Sequence, residues 1–176
     1  MASDPEALFV ANQHRLFRYF CRAVGHSESA RDLTQEVFLR VSRAGVPEAN
    51  DIGQRAWLFR IARNLALNHL RDGRRRPPTV TFGLAAVPAT QELAVALSHA
   101  IDALPDLDRD VFLLRETAGL SYEEIAAASE LPLESVRSRL HRARQALRAT
   151  LGHSLALREQ RGVRCLPAGT RDGDDR

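Results

Sequence analysis

Residues 121–148 read SYEEIAAASELPLESVRSRLHRARQALR, and this stretch decides the fold. Ser121 stands three residues before Glu124, the spacing of a capping box. In such a box the serine oxygen accepts from the glutamate's amide while the carboxylate reaches back to the serine's own N–H. A short helix over about 122–128 is expected, then a turn at Ser129–Leu131. A long helix begins near Pro132, a residue type suited to a first helical turn. Val136, Leu140, Ala143 and Leu147 recur at three- and four-residue steps and form its inward stripe, with an end expected near Leu151. A short helix, a tight turn and a longer basic helix outline a helix-turn-helix.

With that stripe buried, the long helix presents Arg137, Ser138, Arg139, His141, Arg142 and Arg144, with Ser135 at its N-terminal end. The N-terminal part of such a helix enters a major groove, where arginine bonds guanine O6 and N7 together and serine serves several bases. Arginines further along meet phosphate. The plainer alternative is an amphipathic helix with a solvated basic face.

Upstream, Val111, Phe112 and Leu114 mark a helix closed by Gly119, and Leu97, Ile101 and Leu104 form a stripe ended by Pro105. Residues 77–92, PPTVTFGLAAVPATQE, hold three prolines and no arginine and read as a linker. Pro77–Pro78 stops any helix entering from the left. Before the linker, three helices are expected. The first carries Phe9, Leu16, Phe17, Phe20 and Val24 and stops at Gly25. The second starts near Ser27 as N-cap, with Ala30, Leu33, Val37, Val41 and Ala44 as its stripe, and ends at Gly45 and Pro47. After a polar loop, VPEANDIG, the third runs from about Gln54 to Asp72 with Leu58, Ile61, Ala62 and Leu65 inward. No period-two strand pattern appears. The fold class expected is all-α: two small helical domains, 1–76 and 93–151, joined by a flexible linker at 77–92, with a tail at 152–176.

The third helix turns Arg60, Arg63, Asn64, Leu67, Asn68 and Arg71 away from its core stripe, and Arg74, Arg75 and Arg76 follow at its end. Such a face tracks a phosphate backbone while amides read bases, or it is simply solvated. Asp32, Gln35, Glu36 and Leu39 share one outer face of the second helix, either a protein-binding surface or a wet one.

Charge divides the chain the same way. The 25 basic residues are all arginine. Residues 1–76 carry 13 arginines against 8 carboxylates, a net of +5. Residues 93–134 carry 2 against 9, a net of −7, and residues 135–151 carry 5 arginines and no acid. Two basic blocks separated by an acidic one suggest two polyanion-facing surfaces, although each block also suits a solvated helix face.

The 176 residues include 44% hydrophobic and 27% charged side chains, a globular composition without an apolar run of membrane-spanning length. The start, MASDPEAL, lacks the basic and apolar regions of a signal peptide, so a cytoplasmic location is expected. Cys21 and Cys165 are too few for a disulfide framework or a thiolate zinc site. The six histidines are scattered, with no HExxH, GxxxxGK[ST] or GxSxG pattern. No enzyme, catalytic residue, metal or cofactor is expected.

RDLTQEVFLRV, then AWLFRIARNLALNHLRDGRRRPP, then LPDLDRDVFLLRETAGLSYEEIAAASELPLESVRSRLHRARQAL, in this order across a proline-bearing linker, resemble an extracytoplasmic-function (ECF) sigma factor of bacterial RNA polymerase. The resemblance covers about residues 5–151. It implies that residues 1–76 are a region-2 domain and residues 93–151 a region-4 domain. It makes Asp32, Gln35, Glu36 and Leu39 candidates for binding core polymerase. It makes Asn50, Asp51, Trp57, Arg60, Arg63, Asn64, Asn68, Arg71 and Arg74–Arg76 candidates for recognising and melting the −10 element, with Asn50 and Asp51 in the loop near a flipped base. Ser135, Arg137, Ser138, Arg139, His141, Arg142 and Arg144 become candidate readers of the −35 element. The partners implied are core RNA polymerase through its β′ clamp and β flap, promoter DNA as duplex and melted strand, and an anti-sigma factor.

Two departures stand out. Trp57-Leu58 occupies the place where primary sigma factors have two adjacent aromatics, which leaves less stacking energy for melting; Trp57 is either a core residue or a base contact. Glu130 stands at the turn where the family often has glycine, at a cost of roughly 1 kcal/mol if φ is positive there. The competing function is a dimeric helix-turn-helix regulator of duplex DNA, which would need a second apolar face or an effector domain within residues 1–76.

Overall fold

Asp4 starts the first helix: its Oδ1 accepts from the Glu6 N–H at 3.0 Å, and Pro5 follows at the position where a missing N–H costs nothing. The computed structural model describes residues 4–73 and 88–163. Among these it contains seven α-helices and no strand: α1 Pro5–Val24, α2 Ser27–Ala44, α3 Asp51–Gly73, α4 Pro88–Asp102, α5 Asp106–Glu116, α6 Tyr122–Ser129 and α7 Leu133–Val163. Gly25 ends α1 with φ 79°, a left-handed conformation that glycine adopts without steric cost.

α1, α2 and α3 pack around Leu16, Phe20, Val37, Val41, Leu58, Phe59 and Ala62, all fully enclosed or nearly so. α4 to α7 enclose Ile101, Leu104, Val111, Leu114, Leu120, Ile125, Val136, Leu140, Ala143 and Leu147. Leu140 is 1% exposed, and truncating such a residue to alanine typically costs about 2–5 kcal/mol. The two groups do not stand apart: α3 lies against α6 and α1 against α5, and their buried residues form one continuous core.

The capping box forms as expected. The Glu124 N–H donates to Ser121 Oγ at 3.1 Å, and the Ser121 N–H donates to Glu124 Oε2 at 2.7 Å. Glu130 then closes α6 at φ 55°, the only non-glycine residue with positive φ among those described.

Several expected boundaries move. α2 has His26 rather than Ser27 at its N-cap, and no side-chain hydrogen bond caps it. α3 starts at Asp51, because Asn50 Oδ1 accepts from the Gly53 N–H at 2.9 Å and nucleates the helix earlier than a loop reading of VPEANDIG allowed. α4 starts at Pro88, inside the segment assigned to the linker, with proline as its first residue. Leu97, assigned to the stripe of α4, is 38% exposed, while Ala100, Ile101 and Leu104 carry the packing. Ala44 is exposed rather than part of the stripe of α2. α7 continues to Val163, twelve residues past the expected end, since no proline interrupts 133–163. Arg74, Arg75, Arg76 and linker residues 77–87 lie outside the described residues.

Candidate nucleic-acid interface

α7 carries its arginines on a helix fixed by Val136, Leu140, Ala143 and Leu147, as its periodicity requires. Arg137, Ser138 and His141 are exposed. Arg137 pairs with Glu134, one turn back at 2.6 Å, an exposed contact of the kind worth little to stability. Ser135 is half-buried.

The other three arginines are held by their own domain. Asp108 of α5, 4% exposed, accepts from Arg139 Nη1 at 2.8 Å and from Arg142 Nε and Nη2 at 3.1 Å each. The hydrogen bonds from Arg142, and then Arg139, hold the Asp108 carboxyl below the usual carboxylate range against the opposing effect of burial. Arg144 donates to Glu116 at 2.8 Å. Helical geometry alone placed Arg139 and Arg144 among the exposed side chains; both are half-buried, because α5 supplies carboxylates that draw them inward.

On α3 the arginines reach across to the other group of helices. Arg55 Nη1 lies 3.1 Å from Glu124 Oε1, and Arg60 Nη1 donates to Glu130 Oε1 at 3.4 Å. Arg63 donates in a short bond to Asp110, whose other oxygen accepts from the Tyr19 hydroxyl at 3.3 Å. Burial raises the Asp110 carboxyl, opposed by Arg63, and burial followed by the adjacent Asp110 raises the Tyr19 hydroxyl well above its ordinary value. Asn64 and Asn68 are exposed, the latter accepting from Arg71 at 2.5 Å. Trp57 is half-buried and packs against the core. Asn50 and Asp51 sit at the start of α3 rather than in a loop, and the Asn50 side chain is committed to capping.

On α2, Asp32, Gln35 and Leu39 are exposed, Leu39 at 44%, and Glu36 is half-buried with a bond to Arg40 at 2.8 Å. The four share one outward face, opposite Ala30, Val37 and Val41.

Sequence reasoning missed Asp108, Asp110, Glu124 and Tyr19 as members of these networks. The acidity of residues 93–134 was the available signal. It lacked the information that three of these carboxylates are buried, at 4%, 8% and 2% exposure, and therefore need cationic partners. Among the described residues no helix is long and apolar enough to cross a membrane.

Two all-helical units, the second a helix-turn-helix, are the architecture that comparison with known proteins also finds. Residues 8–76 match sigma-70 region 2 and residues 94–147 match sigma-70 region 4. The chain is 34% identical over 160 residues to the RNA polymerase sigma-H factor of Pseudomonas aeruginosa, covering 81% of this chain and 83% of that protein. It is 35% identical over 160 residues to the ECF RNA polymerase sigma-E factor of Escherichia coli K12, covering 80% and 82%. Among solved structures it resembles CnrH in complex with the cytosolic domain of CnrY, with a TM-score of 0.66 at 25% identity over 85% of this chain and 88% of that one. It shares a fold with the sigma factor RpoE of Bartonella quintana, crystallised with the anti-sigma factor NepR, with a TM-score of 0.62 at 22% identity over 84% and 93%. The chain belongs to the ECF RNA polymerase sigma factors of the sigma-70 family.

Proposed function

We propose that this sigma factor divides its work between its two units. Residues 1–76 bind core polymerase and engage the −10 element; residues 93–151 read the −35 element. Asp32, Gln35, Glu36 and Leu39 on α2 make the core contact. Arg60, Arg63, Asn64, Asn68 and Arg71 on α3, with Arg74–Arg76 following in the sequence, engage the −10 strand together with Trp57 and the start of α3 at Asn50–Asp51. On α7, Arg137, Ser138 and His141 reach base edges, while Arg139, Arg142 and Arg144 orient the helix and contact phosphate. The protein carries no reaction of its own and acts in the cytoplasm. An anti-sigma factor is expected as a partner, in keeping with the complex in which the Bartonella relative was crystallised.

The observation that carries this reading is the pairing, in one chain, of a region-2 match over 8–76 with a region-4 match over 94–147 whose recognition helix exposes Arg137, Ser138 and His141. A dimeric regulator has no need of the first. The test is co-purification with core polymerase followed by run-off synthesis. Addition of the chain should give discrete transcripts from a subset of templates. Gln35→Ala with Glu36→Ala should weaken core capture tenfold or more while leaving the circular dichroism spectrum unchanged. Normal capture by the double variant removes the α2 face from the core contact.

A further inference from the structure

Asp108 stands in the first turn of α5 with its side chain 6% exposed, and it binds two arginines of α7. The two contacts differ in form. Arg139 donates from Nη1 alone, at 2.8 Å. Arg142 donates from Nε and Nη2, at 3.1 Å each, so its guanidinium lies side-on against the carboxylate. A guanidinium carries five N–H donors in one rigid plane. Asp108 takes two of those on Arg142, and five less two leaves three, on the end of the plane formed by Nη1 and Nη2. The Arg142 side chain is 57% exposed, against 23% for Arg139. Arg142 therefore combines a bound edge with an open end.

The other ion pairs of α7 among the described residues lack this combination. Arg137 and Arg144 meet carboxylates that stand in water, Glu134 at 79% and Glu116 at 43% side-chain exposure. Such partners move with the solvent and hold a guanidinium loosely. Asp108 is enclosed, and it belongs to a helix packed directly on α7. The hydrogen bonds from Arg142 hold its carboxyl below the usual carboxylate range, so it is an anion at neutral pH. One carboxylate shared by two arginines leaves the cluster one positive charge in excess.

We propose that Asp108 is a positioning residue for DNA: it fixes Arg142 side-on, so that the open end of the same guanidinium meets one backbone phosphate of the duplex. A planar fork serves two oxyanions on two edges at once, which a lysine ammonium cannot do in a fixed geometry. The carboxylate removes rotamers of Arg142 in the free chain, so less ordering remains to be lost when DNA binds. Arg139, more deeply covered, balances the charge of Asp108 and lets Arg142 keep its attraction for phosphate. This inference rests on α7 being the DNA-binding helix. It adds to that reading a residue of α5 that touches no DNA.

The test uses the full chain and the anisotropy of a fluorescein-labelled duplex of mixed sequence at low salt, since a phosphate contact is independent of sequence. Arg142→Ala should weaken binding about tenfold and lower the slope of log affinity against log salt by about one. Asp108→Asn should weaken it about fivefold. In the Arg142→Ala background, Asp108→Asn should change affinity by less than about twofold. A loss of the same size in both backgrounds makes Asp108 merely structural and overturns the proposal. Tighter binding or a steeper salt slope from Asp108→Asn overturns it too, because the carboxylate would then compete with DNA. Should Asp108→Asn lose helix by circular dichroism, Arg142→Lys decides, since it alters a side chain that is more than half exposed. It keeps the charge without the fork and should bind within about twofold of Arg142→Ala; a lysine variant as tight as the parent chain overturns the proposal. Failure of the reading beneath is separate: duplex affinity then survives both Arg137→Ala and Arg142→Ala.

Discussion

α3 and α7 are both arginine-bearing helices with an apolar inner stripe, yet their charges are satisfied in opposite ways. On α7 the partners are local: Asp108 and Glu116 from α5 and Glu134 from α7 itself. These pairs stay intact whatever the two units do relative to one another. They tie Arg139, Arg142 and Arg144 to α5. On α3 the partners Asp110, Glu124 and Glu130 all belong to the other unit, so these pairs last only while the units stay together. An arginine paired inside its domain keeps its partner wherever the other unit lies. An arginine paired across the seam keeps its partner only while the two units stay together.

The largest effect that would break this contrast comes from Asp108. Asp108→Ala leaves Arg139 and Arg142 without their shared anion and should cost about 2–3 kcal/mol, read as a lowered denaturation midpoint. Because the folded carboxyl lies below its unfolded value, its stabilisation is present above about pH 4 and is lost as pH falls through the depressed value. Asp108→Asn should therefore flatten the acid limb of the stability profile. An acid limb identical to that of the parent chain would show that the clamp contributes nothing.

A second comparison sharpens the division within α7. Arg137→Ala should cost about 1–3 kcal/mol of promoter affinity and relax preference at one base pair, if that guanidinium is bidentate to guanine. Arg139→Ala should instead lower stability and weaken all duplex sequences alike, because its guanidinium is bound to Asp108. Binding to a set of singly substituted −35 duplexes separates the two; a base-specific loss from Arg139→Ala would return it to the reading surface. The smallest effect is expected at Glu130. Glu130→Gly removes a left-handed cost of about 1 kcal/mol and loses an exposed ion pair worth about 0.2–1 kcal/mol. Thermal unfolding should move upward slightly or not at all; a clear destabilisation would mean that the Arg60 contact is far stronger than its exposure suggests.

Much of this was legible in the residues. Ser121 and Glu124 announce the capping box, Gly25, Gly45 and Gly119 mark the ends of helical segments, and the stripe Val136, Leu140, Ala143, Leu147 is buried as its spacing requires. These features are local, and helical geometry alone decides them. The seam was not legible. Nothing in the spacing of Arg55, Arg60 and Arg63 distinguishes a solvated face from one covered by α5 and α6. Glu124 illustrates the limit: its reach back to Ser121 follows from a three-residue spacing, while its contact with Arg55 depends on how two units meet. Phe59 and Tyr19 were missed for a related reason. Each packs where α1 and α3 converge, with their rings 6.3 Å apart and nearly perpendicular, beyond what either helix shows alone. The start of α3 was misplaced because Asn50 caps it through a side chain that a loop reading spends on DNA.

The central claim, that α3 is held against the second unit in the free chain, reduces to one distance. In a chain carrying Cys21→Ala and Cys165→Ser, dyes attached through Gln13→Cys on α1 and Ala149→Cys on α7 report the separation of the two units by energy transfer. The account predicts high transfer in the native chain at physiological salt and a marked fall when the chain is unfolded in denaturant. Transfer in the native chain no higher than in denaturant would contradict it.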